Sequence, residues 1–350
     1  MSRFRSGIIR AGFSALHLSR LHRLMRPFVG GVGAIFMMHH VRPQAPGAFR
    51  PNSHLEITPE FLRATLRHVR SIGIDIVSID EVRRRMVDMD FGRRFACFGF
   101  DDGYRDNRDH ALPVMREFAA PFTVYVTSDF AGGRRGLWWI ALERALAKSD
   151  SVNIKIGSDT IEADCRSLAA KESTFIRLRN ALAALDGPTA CEAIERLCAP
   201  QAIDYAALTG EFCMSWDELK PFSDDPLVTI GSHAVTHSNI AKIPADGARQ
   251  EIFGGRDWIQ SAIQKPVLHM AYPYGDKNAA GPREFALASE AGFLTAVTTL
   301  PGMIYPENIH HMTALPRVSV NGNFQDERFL PVLTSGTATA VWNTFRRVSN

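Results

Sequence analysis

Two adjacent carboxylates, Asp101 and Asp102, directly follow an apolar run at residues 95–100 and precede Gly103. Successive residues of a strand point to opposite faces, so one strand cannot aim both carboxylates at one site. A turn at the end of the strand breaks this alternation, and Gly103 permits the backbone angles that such a turn needs. Because neighbouring carboxylates repel each other, a cation between or beside them is expected. One carboxylate can then bind a metal ion while the other acts as a base.

Candidate partner ligands lie downstream, where His233 and His237 follow a β-branched run that ends at Gly231. Residues four apart share one face of a helical turn, so a turn of this kind would let both imidazoles reach one ion. Two imidazoles and a carboxylate suit a borderline-soft divalent ion such as Zn²⁺. Taken alone, the aspartate motif is better explained as a turn with carboxylates, and the histidine motif as two surface or core histidines. Their combination after two strand ends predicts an Asp-His-His metal site.

The motifs resemble those of the NodB-homology polysaccharide deacetylases, which form carbohydrate esterase family four. Residues 100–104 (Phe-Asp-Asp-Gly-Tyr) resemble the first family motif, residues 232–237 (Ser-His-Ala-Val-Thr-His) the second, and residues 271–275 (Ala-Tyr-Pro-Tyr-Gly) the third. The resemblance covers residues 34–130 and 213–320. It implies a distorted, incomplete (β/α) barrel and the metal-dependent removal of N-acetyl, or sometimes O-acetyl, groups from sugars.

The resemblance also assigns roles to the motif residues. It implies that Asp102, His233 and His237 bind the divalent metal, for which Zn²⁺ is favoured, and that Asp101 is the general base. It places the oxyanion-stabilising backbone N–H at Tyr104.

Two elements of the family pattern lack a match. Ala271 occupies the position where an arginine commonly orients the base. Arg317, on another predicted strand, is the candidate replacement, with an ordinary surface ion pair as the alternative. The late Leu-x-His motif, which supplies the general acid, is also missing. His40, at the end of the first predicted strand, is therefore the candidate acid, and His310 and His311 in an apparent loop are weaker candidates.

Aromatic residues in two places are candidates for substrate binding. Tyr272, Pro273 and Tyr274 belong to the third motif. Trp138 and Trp139 follow a glycine-rich loop in an irregular segment, and their indoles are suited to stacking on sugar rings. The alternative, preferred for at least one of them, is that they anchor this segment to the barrel.

Strand-like runs alternate with helical stretches, which predicts a parallel α/β architecture. The strand-like runs are residues 34–39, 75–78, 95–100, 122–127, 228–231, 267–272, 295–299 and 315–320. Helical stretches include residues 59–72, 107–118, 246–264 and 281–291. Active sites of such barrels lie at the carboxyl ends of the strands, where both metal motifs occur.

Three segments follow from this pattern. Residues 1–30 form a basic amphipathic segment, and residues 31–345 form the barrel. Residues 131–215 are predicted to be an insertion within the barrel, with helices at 140–147 and 172–198 around a hairpin.

Composition excludes several classes of protein. A hydrophobic content of 45% and a charged content of 22% are ordinary for a soluble globular protein. The net charge of +3 is too small to argue for nucleic-acid binding. Five scattered cysteines without a Cys-x-x-Cys pair argue against a disulfide framework.

Residues 1–28 contain six arginines and no acidic residue. They lack the uninterrupted apolar core of about seven or more residues that a secretory signal needs. A cytoplasmic protein is therefore expected. Residues 1–28 either contact the inner face of an anionic membrane peripherally or pack as a helix on the outside of the barrel.

Three functions remain open on the sequence. The favoured one is a metal-dependent deacetylase of N-acetylated glycans, either chitooligosaccharides or an exopolysaccharide. The alternatives are a metal-dependent hydrolase of non-sugar amides and a catalytically silent glycan-binding protein. The intact metal and base residues count against the silent protein, and the adjacent tryptophans favour a sugar.

Overall fold

The computed structural model describes residues 3–157, 159–185 and 187–348, and its centre is a closed ring of seven parallel strands. The strands of the chain are β1 (Gly33–Met38), β2 (His40–Val41), β3 (Glu56–Ile57), β4 (Asp75–Ile76), β5 (Phe95–Phe100), β6 (Phe122–Val126), β7 (Ser151–Ile156), β8 (Asp159–Asp164), β9 (Val228–Ser232), β10 (His269–Ala271), β11 (Thr295–Pro301) and β12 (Leu315–Ser319). The ring runs β1-β12-β11-β10-β9-β6-β5 and closes where β5 pairs with β1. The predicted (β/α) barrel is confirmed.

Helices cover the outer face of this ring, and those between β6 and β9 pack at its carboxyl end. They are α1 (Arg3–Leu18), α2 (Leu21–Val29), α3 (Pro59–Ser71), α4 (Ile79–Val87), α5 (Leu112–Glu117), α6 (Ser128–Ala131), α7 (Trp138–Lys148), α8 (Leu168–Leu182), α9 (Gly187–Cys198), α10 (Ala207–Phe212), α11 (Trp216–Phe222), α12 (Ala245–Arg249), α13 (Gly255–Ile263), α14 (Pro282–Glu290), α15 (Leu330–Thr334) and α16 (Thr337–Trp342). The start of α3 shows how the sequence sets such a boundary. Thr58 caps the helix by accepting a hydrogen bond from the N–H of Phe61, and Pro59 occupies the first turn, where no N–H is needed.

The ring is irregular in its pairing. β1 and β5 pair along their whole length, from Gly33 opposite Phe95 to Met38 opposite Phe100. In contrast, β9 and β10 meet only at Ser232 and Met270. The register between β11 and β12 also shifts, so the barrel is distorted as well as reduced to seven strands.

Alternation along the strands separates two apolar layers. One face of each strand packs against the surrounding helices, as Phe36 of β1 and Phe98 of β5 do. The other face fills the barrel interior with residues such as Ile35, Cys97 and Leu315. Residues that continue the inward positions past the strand ends therefore face the open carboxyl end of the barrel.

The segment between β6 and β9 has its own hydrophobic core. Strands β7 and β8 form an antiparallel hairpin, and helices α7, α8 and α9 pack with it. Tyr104 and Phe130 from the barrel belong to the same apolar cluster. The segment is therefore packed directly against the carboxyl end of the barrel.

The amino-terminal segment packs on the outside of the barrel. The Phe13 ring of α1 lies 5.2 Å from that of Phe324 and 5.3 Å from that of Phe329. Within the described ranges, no helix has the length and apolar character needed to cross a bilayer. This packing agrees with one of the two alternatives for residues 1–28, and membrane contact by the remaining surface stays a prediction.

Candidate active site and metal centre

Asp102, His233 and His237 converge at the carboxyl ends of β5 and β9. Their candidate ligand atoms all lie within 4.8 Å of one another. Oδ1 of Asp102 is 3.5 Å from Nε2 of His233 and 3.2 Å from Nε2 of His237. The structure thus brings together the three residues predicted to bind the metal.

The side chains around this point fit a divalent ion. Oδ1 of Asp102 is buried and, among the described residues, accepts no hydrogen bond. The carbonyl oxygen of Ala271 lies 2.7 Å from Nδ1 of His233 and can only accept, so Nδ1 carries the proton and the Nε2 lone pair is free. One carboxylate oxygen and two imidazole nitrogens form a donor set found in catalytic zinc sites.

The protonation states of these ligands also suit a cation. Burial lowers the pKa of His233 to about 4, although the charge of Asp101 acts in the opposite direction, so the ring is neutral at neutral pH. Burial alone would raise the pKa of Asp102. Its contact with His237, together with the nearby His39 and His233, outweighs burial and holds that pKa below its ordinary value. The site therefore presents a carboxylate and a neutral imidazole, the forms that bind metals.

Arg317 forms a two-point ion pair with the candidate base. Its Nη1 and Nη2 donate to Oδ1 and Oδ2 of Asp101 over 2.8 and 2.7 Å, and its Nε donates to the carbonyl of Thr298 over 2.7 Å. Both partners are buried, so this is not the surface ion pair of the alternative interpretation. Burial is the largest single influence and raises the pKa of Asp101, but the charge and hydrogen bonds of Arg317, together with His233 and His39, lower it below its ordinary value. The predicted contact is present, and its effect on turnover stays a prediction.

We expect Arg317→Ala to reduce turnover roughly 10- to 100-fold while the metal content stays unchanged. Loss of the cation raises the pKa of Asp101, so the acidic limb of the pH–rate profile should move to higher pH. Arg317→Lys should recover only part of the activity, because an ammonium cannot reproduce the planar two-point contact. An unchanged profile in Arg317→Ala would contradict the assigned orienting role.

The turn after β5 explains how two adjacent aspartates serve one site. Asp102 and Gly103 have φ values of 76° and 72°, in the left-handed region that costs a non-glycine residue about 1–2 kcal/mol. The N–H of Met214 donates to the carbonyl of Gly103 over 3.1 Å, and Tyr104 pairs with Cys213 as an isolated bridge. The backbone of Tyr104 is thus fixed beside both aspartates, and its role as oxyanion donor stays a prediction.

The histidine motif is a loop, and the predicted helical turn between its histidines is absent. Ala234 and His237 have φ values of 62° and 59°. Buried Glu251 holds this loop by accepting hydrogen bonds from the N–H groups of Val235 and Thr236 over 3.0 and 2.9 Å, and from Oγ1 of Thr236 over 2.5 Å. Sequence analysis missed Glu251 because nothing in its local pattern distinguishes it from a surface glutamate of a helix.

The two histidines after β1 point in different directions. His40, the predicted acid, has its Nδ1 2.6 Å from Oδ2 of Asp106, and its ring stacks on that of Tyr104. His39 continues the inward positions of Ile35 along the strand. Both aspartate charges act on its imidazole, whose pKa is lowered mainly by burial. The placement favours His39 over His40 as the histidine that faces the base.

The weaker candidates for the acid lie elsewhere. His310 and His311 end a 3₁₀ segment just before β12 begins. That position is at the amino end of the parallel strand, whereas the triad lies beyond the carboxyl ends. Chain topology therefore places both residues at the opposite end of the barrel.

Only part of the third motif is available to a substrate. Tyr272 is buried, and its hydroxyl donates to the carbonyl of Thr313 over 2.8 Å, which corrects its prediction as a substrate-binding residue. The cause is strand alternation, which turns Ala271 inward and Tyr272 toward the helices. Pro273 is buried too, in the tight turn that follows. Tyr274 is partly exposed, and its ring lies 5.0 Å from that of His237.

The two tryptophans have different positions. Trp139 is buried, and its Nε1 donates to the hydroxyl of Tyr104 over 3.2 Å, so it anchors the insertion to the barrel. Trp138 is half-buried and packs edge-on against it. A cleft of about 400 Å³ opens beside the triad between the insertion and the barrel. Its wall includes Phe130, Trp138, Trp139, His237, Asn239 and Tyr274.

This barrel, with an aspartate pair and two histidines at its carboxyl end, is of the NodB-homology type found in carbohydrate esterase family four. The family described as polysaccharide deacetylase matches residues 89–293, and the chain belongs to that family. No curated protein matches the sequence.

Solved structures share the fold. The Streptococcus pyogenes deacetylase PplD in complex with acetate is 15% identical, with a TM-score of 0.54 and coverage of 83% of this chain and 92% of that one. IcaB from Ammonifex degensii is 16% identical, with a TM-score of 0.53 and coverage of 88% and 98%. The polysaccharide deacetylase BC0361 from Bacillus cereus is 15% identical, with a TM-score of 0.53 and coverage of 86% and 68%.

Proposed function

We propose that the protein is a metal-dependent hydrolase that removes N-acetyl groups from a glycan. The observation that carries this proposal is the buried Asp101–Arg317 pair beside the convergent ligands Asp102, His233 and His237. A triad alone would suit a structural metal. A neighbouring carboxylate held ionised by a buried guanidinium adds a base beside the metal ligands, which hydrolysis requires. Membership of the polysaccharide deacetylase family supports the glycan as substrate class.

Asp102, His233 and His237 would hold the divalent ion, with Zn²⁺ favoured by the two imidazoles. When bound, such an ion lowers the pKa of water and polarises the acetamide carbonyl. Asp101 takes the proton of the attacking water, and Arg317 keeps its carboxylate ionised and oriented. The N–H of Tyr104 donates to the developing oxyanion.

The leaving amine needs a proton, and we assign its delivery to His39. Burial favours the neutral imidazole, so His39 would take up the proton that Asp101 removes from water and pass it to the amine. The inward position of this residue along β1 and the action of both aspartate charges on its ring support this assignment. The paired and stacked ring of His40 is held by Asp106 instead. This assignment replaces His40 as the candidate acid.

We expect His39→Gln to lower turnover roughly 10²- to 10⁴-fold, the range for loss of general acid–base help. His40→Gln is the matched control, because it changes the neighbouring histidine and removes its contacts with Asp106 and the Tyr104 ring but leaves the base in place, and it should have a smaller effect. Steady-state rates on one glycan substrate measure both. A larger loss in His40→Gln would return the acid to that residue.

The proposed function is tested by hydrolysis of three kinds of substrate, each with and without a chelator, measured as acetate release from the glycans and as ring opening of a cyclic amide. N-acetylated chitooligosaccharides and an N-acetylated exopolysaccharide represent the proposal, and a small cyclic amide represents a non-sugar hydrolase. Chelator-sensitive acetate release from either glycan supports the proposal. Turnover of the cyclic amide alone, or binding of the glycans without turnover, would contradict it.

Contact with a membrane through residues 1–28 is proposed separately from catalysis. The described side chains suited to it lie at the amino end of β1, away from the triad. Membrane contact therefore needs structural support and an experimental test that are separate from those for catalysis.

A further inference from the structure

Helix α2 exposes the apolar face that a surface helix normally buries. Leu21, Leu24 and Phe28 recur at a spacing of three and four, which places them on one side. Leu24 is 71% and Phe28 73% exposed. The opposite side of the helix carries buried His22, whose Nδ1 lies 2.9 Å from the carbonyl of Leu16. The packing of α2 thus turns its polar histidine inward and its large apolar side chains outward.

The carboxyl-terminal segment adds further exposed apolar side chains next to α2. Helix α16 contacts α2, and Gly336 at its start packs directly on the carbonyl of Val29. Three residues at the end of α16 and just beyond are about half exposed or more, namely Val341, Trp342 and Phe345. We call these three residues, together with Leu21, Leu24 and Phe28, the basal apolar patch. Exposed apolar side chains on two helices that contact each other are typical of an interaction site.

The charges around the basal apolar patch are positive. Arg20 and Arg23 are exposed and, within the part of the chain that the structure describes, form no salt bridge. Arg346 and Arg347 follow the patch on the carboxyl-terminal side, and Arg347 pairs with Glu307. A second copy of this chain would bring like charges together, which disfavours self-association. An anionic surface with an apolar interior complements both the arginines and the patch.

The position of the patch leaves the active site open. Helix α2 leads into the amino end of β1, whereas His39 follows its carboxyl end. Six strand residues span about 20 Å at roughly 3.3 Å each. A surface bound at the patch would therefore lie at the opposite end of the barrel from the cleft.

We infer that the basal apolar patch and its arginines bind the surface of an anionic lipid bilayer. Leu24, Phe28 and Trp342 enter the boundary between headgroups and acyl chains, and Arg20 and Arg23 contact the anionic headgroups. The binding is peripheral, and the cleft faces away from the bilayer. The inference rests on the packing of α2 and α16 and is independent of the proposed deacetylase function.

The test is sedimentation of the full-length protein with vesicles of phosphatidylcholine and phosphatidylglycerol in about a 2:1 ratio, compared with pure phosphatidylcholine. We expect binding to the anionic vesicles that weakens with added salt. Leu24→Ser with Phe28→Ser should reduce partitioning at least about tenfold. Arg20→Gln with Arg23→Gln should reduce it by a similar factor on anionic vesicles. Ile176→Ser is the matched control, because it removes an exposed apolar side chain from α8 and should leave binding unchanged.

A second measurement does not depend on the fold of the double variants. Brominated lipid in the anionic vesicles should quench wild-type tryptophan fluorescence, and Trp342→Phe should lose most of that quenching. Acetate release from a soluble glycan should be equal in all these proteins. The inference would be overturned if the wild-type protein stayed in the supernatant or if the double variants bound vesicles like wild type. It would also be overturned if the protein formed a dimer that the patch substitutions dissociate.

Discussion

Asp101→Asn is expected to keep its metal and lose turnover by about 10²- to 10⁴-fold. The amide has nearly the shape of the carboxylate and can still accept from Arg317, but it cannot take a proton from water. Oδ1 of Asp102 and the two histidines remain in place to hold the ion. Metal content by atomic emission and single-substrate kinetics on the same preparation measure both effects.

This substitution also removes the countercharge of a buried guanidinium. Breaking a buried ion pair typically costs about 3–5 kcal/mol of stability, so thermal unfolding must show that the variant is folded at the assay temperature. Asp102→Asn is the matched control, because it changes the adjacent carboxylate and should lose metal. If Asp101→Asn instead loses the metal and Asp102→Asn retains it, the two roles are reversed.

His233→Ala is expected to remove the metal and abolish activity. The wild-type protein should hold about one zinc-like ion per chain, and loss of one of three protein ligands leaves too few donors for tight binding. The backbone carbonyl of Ala271 would also lose the imidazole N–H that it now accepts from. Metal stoichiometry after dialysis and acetate release measure the outcome.

His269→Ala is the control for this experiment. His269 is likewise buried, and its ring bonds to Thr295 and Asp80 at the start of β10, away from the triad. It should retain stoichiometric metal. A His233→Ala protein that still binds one ion per chain would refute the assigned ligand set.

The features that the sequence predicts correctly are strand residues that face the interior of the barrel. The strand run of residues 95–100 matches β5 at both ends, because six apolar residues are followed by a turn that glycine permits. Arg317 was predicted to meet Asp101 from another strand, and β12 brings it there because its inward position follows that of Leu315. An inward-facing residue can be predicted where the sequence shows both the alternation of strand residues and the end of the strand.

Other features depend on contacts that the local pattern does not show. Choosing between His39 and His40 required the strand boundary to within one residue, since a shift by one position reverses the face. Tyr272 lies one residue past the inward position of Ala271. The same one-residue uncertainty explains why the sequence predicts Tyr272 at the site. The loop that carries His237 takes its shape from Glu251, which is distant in sequence and so left no signal near the motif.

The central claim is that the Asp102, His233 and His237 site holds a divalent ion needed for removal of acetyl groups from a glycan. Its most direct test is acetate release from one N-acetylated chitooligosaccharide by a single enzyme preparation, measured before chelation, after chelation and after return of Zn²⁺. We predict activity, loss of activity and recovery, with the ion content following in step. Acetate release that persists in fully chelated protein would contradict the claim.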